Sequence, residues 1–307
     1  MNLPKKQHWV PYFYLKQFAI PETRNSKIPE VWAFSKKHHD PKEPHIISIK
    51  DAASSRFMYS PIDENGNRDL RTEKKLENIE TLVARIWPDI CNDNIAFSDS
   101  VRKIMSLFLA TIMLRDQKSF DIIKQINNRL YSFFDSLPKD NLGVPNVNKF
   151  VYEGKKYDLD LADWQQIKCC SDNYIKQFFV ETINDAAIDF AKILLDRNWS
   201  IRTFSKPLLA TSDAPFIVCN PNKETYGIAT KGTIIFFPLT PSRTIEIGDK
   251  GKDNVCYPMS DTYAHLINYL LWTNDCRFIY SHRNTDEVLL DIYNFVEARK
   301  KELSTSI

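Results

Sequence analysis

The sequence predicts an α+β fold: short N-terminal strands, a central helical bundle, and a C-terminal mixed or antiparallel sheet with flanking helices. Three observations lead to this prediction. Short β-branched and aromatic runs fill residues 1–70, apolar residues at helical spacing fill residues 71–198, and short apolar runs broken by prolines return over residues 199–307. No internal repeat or long linker interrupts the sequence, so we expect a single domain over residues 1–307.

The N-terminal strands are predicted from runs rich in β-branched and aromatic residues. These runs are VWAFS (31–35), HIISI (45–49) and RFMYS (56–60). Turn residues surround them, and Asn65-Gly66 is a strong turn signal.

The helical part begins at Thr72, a plausible N-cap residue. One apolar face follows at alternating spacings of three and four, formed by Leu76, Ile79, Val83, Ile86 and Ile90. We expect this helix to end near Trp87, because Pro88 disfavours helical geometry at the residue before it.

Three more helices are predicted after Ser98. The first is apolar nearly all round from Ile104 to Leu114, which is typical of a buried helix. The second covers residues 121–137, and the third is a long amphipathic helix over residues 162–196 that includes Trp164 and Ile167. A small hairpin around Glu153-Gly154 is expected between them.

The C-terminal part contains short strand-like runs, which are WSIRTF (199–204), LLAT (208–211), FIVC (216–219), TIIFFPL (233–239) and RTIEIG (243–248). The run TIIFF has no polar alternation and predicts a strand covered on both faces. A helix capped by Ser260, the strand RFIYS (277–281) and a terminal helix over residues 285–301 complete the prediction.

Composition excludes several classes of protein. Hydrophobic residues make up 43% of the chain and the net charge is +2, which indicates a globular protein without a general polyanion-binding surface. The sequence has no signal peptide and no run of the roughly 20 apolar residues that span a bilayer, so we expect a cytoplasmic protein without a membrane partner. Its six cysteines have no zinc-ligand spacing, and with 7 glycines it has no nucleotide-binding glycine loop, so no metal or cofactor is predicted.

The candidate functional residues are polar groups in apolar surroundings. His8 lies among aromatic residues, where burial favours a neutral imidazole that can act as a base, or where it is a core histidine bonded to a backbone carbonyl. Glu80 lies beside the apolar face of its helix, and Arg115 ends the most apolar helix. Arg115 therefore needs an anion, either the Glu80 carboxylate in a structural ion pair or the phosphate of a ligand.

Ser212 and Asp213 occupy a predicted strand exit, in the stretch TSDAPF (211–216). Strand ends often present catalytic or ligand-binding side chains, although Asp213 can equally cap a local Asx turn.

These pieces resemble a family of bacterial proteins classified as domain of unknown function 4238. The resemblance is carried by the box His8-Trp9-Val10-Pro11-Tyr12-Phe13-Tyr14-Leu15-Lys16-Gln17-Phe18, by Thr211-Ser212-Asp213-Ala214-Pro215, and by pieces around Glu80, Arg115, Pro238-Leu239-Thr240-Pro241, Asn268 and Arg277-Phe278-Ile279-Tyr280. Trp9 departs from the commoner tyrosine but keeps an aromatic ring. The resemblance implies a shared site and no particular reaction.

The sequence therefore predicts a hydrolase acting on a phosphodiester or nucleotide-like substrate, because a histidine, carboxylates and an arginine can catalyse hydrolysis without a cofactor. The predicted catalytic residues are His8, Glu80, Arg115 and Asp213, and the predicted ligand-binding residues are Tyr12, Tyr14, Ser212 and Asn268. The alternative is a non-catalytic module that binds a small anionic ligand or a nucleic-acid end through Arg115 and the aromatic box. A structural subunit with a broad exposed apolar patch is a third possibility.

Overall fold

The computed structural model describes residues 6–36, 45–92, 97–147, 149–152, 154–158 and 172–305, and it confirms the α+β fold. The N-terminal part contains β1 (Lys6–His8), the short helix α1 (Tyr12–Leu15) followed by a 3₁₀ turn (Lys16–Phe18), β2 (Glu30–Ser35), β3 (His45–Ser48) and β4 (Ser54–Arg56). β1 pairs with β4, so the chain folds back on itself beside the aromatic box.

The central part is helical. It contains α2 (Arg71–Cys91), α3 (Asp99–Leu114), α4 (Gln117–Asp135), the antiparallel hairpin β5 (Lys149–Tyr152) and β6 (Lys155–Asp158), and α5 (Asp172–Leu195). Ser98 caps α3 through Val101 N, and Asp116 caps α4 by accepting a hydrogen bond of 2.6 Å from Ser119 N. α3 packs along α5 and α2, as expected for its nearly continuous apolar surface.

The C-terminal part contains β7 (Asn198–Phe204), β8 (Thr211–Ser212), β9 (Ile217–Cys219), β10 (Ile234–Thr240), β11 (Arg243–Gly248), β12 (Val255–Met259), α6 (Asp261–Thr273), β13 (Phe278–Ser281) and α7 (Thr285–Thr305). Five of these strands form a mixed sheet in the order β12-β7-β11-β10-β9, in which only the β12-β7 pair is parallel. A four-stranded sheet in the order β3-β2-β13-β8 combines strands from both ends of the chain.

The aromatic box packs into the centre of the molecule. The ring of Tyr14 on α1 lies 5.0 Å from Phe237 on β10 and 5.8 Å from Trp87 on α2, centroid to centroid. Phe108 on α3 completes the cluster, 6.1 Å from Phe237 and 6.2 Å from Trp87. The short helix α1 is therefore held by tertiary packing, because four residues alone cannot sustain a helix.

Both predicted ends of α2 were wrong. The helix begins at Arg71, with Leu70 rather than Thr72 at the N-cap, and it continues through Pro88 to Cys91. Trp87 and Ile90 are both buried in the core, and their packing outweighs the local cost of the proline.

Two predicted strands are shorter or shifted. The strand expected at residues 56–60 lies at Ser54–Arg56, and it ends where Phe57 adopts a left-handed φ of 53°. The strand expected at residues 208–211 is reduced to Thr211–Ser212, because side-chain hydrogen bonds from Asn268 replace sheet pairing before it. Glu153, Trp164 and Ile167 lie outside the described residues.

The packing predicts that Phe108→Ala destabilises the protein by roughly 3 to 5 kcal/mol, because it removes a ring from the central cluster and leaves a cavity. The matched control is Phe133→Ala on α4, whose side chain is 59% exposed. We expect that control to change the free energy of unfolding by less than about 0.5 kcal/mol. Urea denaturation measures both, and equal effects would contradict the assigned core.

Candidate functional site

Half of the predicted site residues meet at a largely buried backbone segment, residues 208–214. Asn268 on α6 holds its first part: the Asn268 Oδ1 atom accepts a hydrogen bond of 3.0 Å from Ala210 N, and Nδ2 donates one of 2.9 Å to Leu208 O. Both groups of the Asn268 amide are thus used by the backbone. Asn268 lies outside the polar cleft described below.

The second part of the 208–214 segment is bonded by two residues of the N-terminal box and by its own Ser212 side chain. The Tyr14 hydroxyl lies 2.6 Å from Thr211 Oγ1, and the Trp9 indole Nε1 donates to the main-chain oxygen of Asp213 at 2.9 Å. Ser212 Oγ accepts a hydrogen bond of 3.1 Å from Ala214 N. Each of these polar side chains is buried and bonded to the segment, as a buried polar group requires.

Asp213 presents its carboxyl group from this segment. Its Oδ1 atom accepts hydrogen bonds from the backbone amides of Arg277, at 2.9 Å, and Phe278, at 3.0 Å. Among the described residues, no donor is bonded to Oδ2. Asp213 is only 3% exposed, and burial raises the pKa of its carboxyl to about 6, against the opposing effect of the two amides and the Arg277 cation.

The Asp213 carboxyl lines a polar cleft of about 400 Å³, here called the Asp213 cleft. Its lining consists of Lys36, Gln117, Lys118, Asp121, Ile122, Gln125, Asp213, Ala214, Asp275, Cys276 and Arg277. Arg277 pairs with Asp121 on α4, and Lys118 Nζ lies 3.7 Å from Asp275 Oδ2. A charged cleft beside a carboxyl with a near-neutral pKa is typical of a functional site.

Lys36 has a different environment within the Asp213 cleft. Its ammonium donates to the main-chain oxygens of Trp272 and, at 2.7 Å, of Asn274, and it lies 3.6 Å from Cys276 Sγ. Lys36 thus caps the C-terminal end of α6, where a cation complements the helix dipole. Burial raises the pKa of the Cys276 thiol to about 11, so this cysteine stays protonated at neutral pH.

Arg115 and Glu80 form a second group of predicted residues. Arg115 caps the end of α3 and is 1% exposed, its guanidinium lies 2.7 Å from Glu80 Oε1, and its Nε donates to the main-chain oxygen of Trp9 at 3.1 Å. The main-chain oxygen of Arg115 accepts a hydrogen bond of 2.7 Å from the Tyr59 hydroxyl. The partners of this guanidinium are therefore a carboxylate and a backbone carbonyl.

His8 and Tyr12 are both half-buried. His8 Nε2 lies 3.2 Å from the main-chain oxygen of Lys50, and burial lowers the pKa of the imidazole, so that it is neutral at pH 7. Tyr12 packs against the apolar core. Trp9 and Tyr14 are buried and present no exposed ring face on which a nucleic-acid base could stack.

Trp9 connects the Arg115–Glu80 pair to the 208–214 segment. Its carbonyl receives Arg115 and its indole reaches the backbone of Asp213, so that Glu80, Arg115, Trp9 and Asp213 form one chain of contacts. Tyr14, Ser212 and Asn268 meet on the 208–214 segment, whereas His8 contacts the turn at Lys50. Of the predicted residues, Asp213 is the one that lines the Asp213 cleft. The catalytic roles of His8, Glu80 and Arg115 stay predictions.

Several residues of the Asp213 cleft were not predicted as site residues. Arg277 belongs to the piece Arg277-Phe278-Ile279-Tyr280, from which the sequence predicts no role for its side chain. Lys118 and Asp121 lie on α4, whose polar residues follow no pattern that separates a cleft wall from ordinary surface. Outside this cleft, on α2, burial and the nearby Glu80 raise the pKa of the Glu73 carboxyl to about 7, and the sequence analysis assigns no role to this residue.

The fold and the cleft define an α+β protein with a buried carboxyl group in a charged cleft. The chain belongs to the family described as "Protein of unknown function (DUF4238)", whose model matches residues 6–285. No curated protein and no solved structure shows significant similarity. Within the described ranges, no helix is long and apolar enough to cross a membrane, and no group of three or more His, Cys, Asp or Glu side chains is arranged to hold a metal ion.

The buried ion pair predicts that Arg115→Met lowers the free energy of unfolding by roughly 3 kcal/mol, because it leaves Glu80 and the Trp9 carbonyl without a partner. Arg71→Met is the matched control, since Arg71 pairs with Asp69 at the surface, and we expect it to leave stability nearly unchanged. Urea denaturation at low and high salt compares the two. A loss in Arg115→Met as small as that of the control would contradict a structural role.

Asp213→Asn is expected to stabilise the protein at neutral pH. The pKa of Asp213 is about 6 in the folded state and near 3.8 unfolded, so between these values the folded state holds a proton that the unfolded state lacks. The stability of the wild type therefore falls as pH rises through this window, whereas the asparagine has no proton to lose. Each pKa unit is worth about 1.4 kcal/mol, which gives an advantage on the order of 3 kcal/mol above pH 7.

Urea unfolding across the pH range measures this advantage. It should shrink towards zero near pH 4, where the carboxyl is protonated in both states. Asp189→Asn on the exposed surface of α5 is the control. An advantage that does not change with pH would show that Asp213 has an ordinary pKa.

Proposed function

We propose that the protein is a hydrolase acting on a phosphodiester or nucleotide-like substrate bound in the Asp213 cleft. The observation that carries the proposal is the environment of Asp213. One carboxyl oxygen is fixed by two backbone amides, the group lines the cleft, and its pKa of about 6 lies close to physiological pH. A carboxyl with these properties is suited to general acid–base catalysis.

The proton transfer follows from the geometry of the carboxyl group. Because Oδ1 is held by the amides of Arg277 and Phe278, Oδ2 is the atom that exchanges protons. In the proposed reaction Oδ2 takes a proton from water as the water oxygen forms its bond to phosphorus. The bond from phosphorus to the leaving oxygen breaks, and that oxygen receives the proton, which restores ionised Asp213.

The cations at the cleft support an anionic substrate. Arg277 and Lys118 are partly exposed and paired with carboxylates, Asp121 and Asp275, that can give way to a phosphate group. The planar guanidinium of Arg277 suits two phosphate oxygens at once. In this proposal Glu80, Arg115, Tyr14, Ser212 and Asn268 support the 208–214 segment, directly or through Trp9.

The first test is hydrolysis of an activated phosphodiester, an activated phosphomonoester, nucleoside triphosphates and short RNA, each with divalent ions and with a chelator. We expect Asp213→Asn to lower the rate by roughly 10²-fold or more, while the amide oxygen keeps the two backbone hydrogen bonds. Asp189→Asn is the matched control on the surface. The wild-type rate should rise with pH to a plateau above about 6, because Asp213 must be ionised to act as a base.

Full activity in Asp213→Asn, or no hydrolysis of any substrate class, would contradict the enzyme proposal. The alternative is a binding module, favoured by the positive groups around the same cleft. Thermal shift with each ligand separates the two. A rise in Tm that requires Arg277, tested with Arg277→Met, without any turnover identifies a binding module.

A further inference from the structure

Trp9 is bonded to three separate parts of the molecule. Its main-chain N donates to Ala53 O at 3.0 Å, its main-chain oxygen accepts from Arg115 Nε at 3.1 Å, and its indole Nε1 donates to Asp213 O at 2.9 Å. The side chain is 7% exposed. The first two contacts use main-chain atoms, which any residue at this position would have. Only the bond to Asp213 O depends on the tryptophan side chain, and it satisfies the buried indole N–H.

The main chain of Asp213 is held on both sides. Its amide donates to Phe278 O at 3.2 Å, while its carbonyl receives the Trp9 indole. The amides of Arg277 and Phe278 that bind the carboxyl oxygen Oδ1 lie at the start of the neighbouring strand β13. Any shift of the Asp213 carbonyl therefore also moves the carboxyl group relative to these two amides.

Arg115 fixes Trp9 in turn. The guanidinium is buried and its charge is balanced by Glu80, so its bond to the Trp9 carbonyl holds the N-terminal segment against the end of α3. Hydrogen bonds from a charged donor are stronger than neutral ones, which makes this a firm anchor. The contacts run from Glu80 through Arg115 and Trp9 to Asp213.

We propose that Trp9 is a positioning residue for the Asp213 carboxyl group, and that Arg115 acts on the cleft through Trp9 rather than by contacting the ligand. The placement of the carboxyl is a property of the folded protein alone. Its consequence for catalysis rests on the proposed hydrolase function.

The test removes the indole N–H in two ways, one of which keeps the ring volume. Trp9→Phe removes the donor, and site-specific replacement of Trp9 by benzothienylalanine keeps the ring volume but has sulfur in place of N–H. Trp199→Phe is the matched control, because Trp199 is also buried and its Nε1 donates to a main-chain oxygen, that of Leu194, at 2.8 Å. Trp199 has no contact with the Asp213 cleft.

Hydrogen exchange at the amides of Arg277 and Phe278, measured by NMR, reports the position of the Asp213 carboxyl without any substrate. In both Trp9 variants we expect these two amides to exchange at least about tenfold faster than in Trp199→Phe, after correction for global stability measured in urea. Exchange equal to that of the control would overturn the proposal, and this outcome is independent of whether the protein hydrolyses anything.

Kinetics adds a second readout once a substrate is known. Trp9→Phe should lower kcat with little change in KM, because the base is misplaced while the cations at Arg277 and Lys118 remain. In an Asp213→Asn background, Trp9→Phe should cause no further fall in kcat. A full additional loss in that background would show that Trp9 acts elsewhere.

Discussion

The need to satisfy a buried backbone segment is the constraint on which the rest of this structure depends. Residues 208–214 run through the interior, where every amide or carbonyl without a partner costs free energy. Only two residues of the segment are in a strand, so side chains supply missing backbone partners: Asn268 from α6, and Trp9 from the chain just before α1. Tyr14 from α1 adds a hydrogen bond to the Thr211 hydroxyl. This arrangement brings the N-terminal box to the sheet formed late in the chain.

Burial decides what each charged group of the site can do. Arg115 and Arg277 both pair with a carboxylate, but Arg115 is almost fully buried, whereas Arg277 lines the Asp213 cleft. Removing the carboxylate partner of Arg115 leaves an unpaired charge in the core, whereas Arg277 can exchange its carboxylate partner for a ligand. Asp213 lies between these extremes, since its backbone is in the interior and its carboxyl borders the cleft.

Much of the fold could be predicted because the spacing of apolar residues along the chain indicates which side chains are buried. The periods of α2 and α3 and the continuous apolar run of β10 gave the correct elements. Propensity failed where packing overrode it, as at Pro88.

For the site, polar residues in apolar surroundings indicated buried, bonded groups such as Arg115 and Asp213. The cleft wall at Lys118 and Asp121 could not be found this way, because a charged residue on an exposed helix looks the same with or without a cleft beside it.

The aromatic box shows why packing and function are not alternatives here. Phe13 contacts Trp87 and Phe108 through its ring, and at this position no polar atom is needed. Trp9 and Tyr14 occupy equally apolar surroundings, but each directs one polar atom at the 208–214 segment. A box built only of phenylalanine would fill the same volume and leave the Asp213 carbonyl and the Thr211 hydroxyl without these partners. The choice of tryptophan and tyrosine is therefore explained by the segment they hold, and the segment in turn by the carboxyl group that it presents to the cleft.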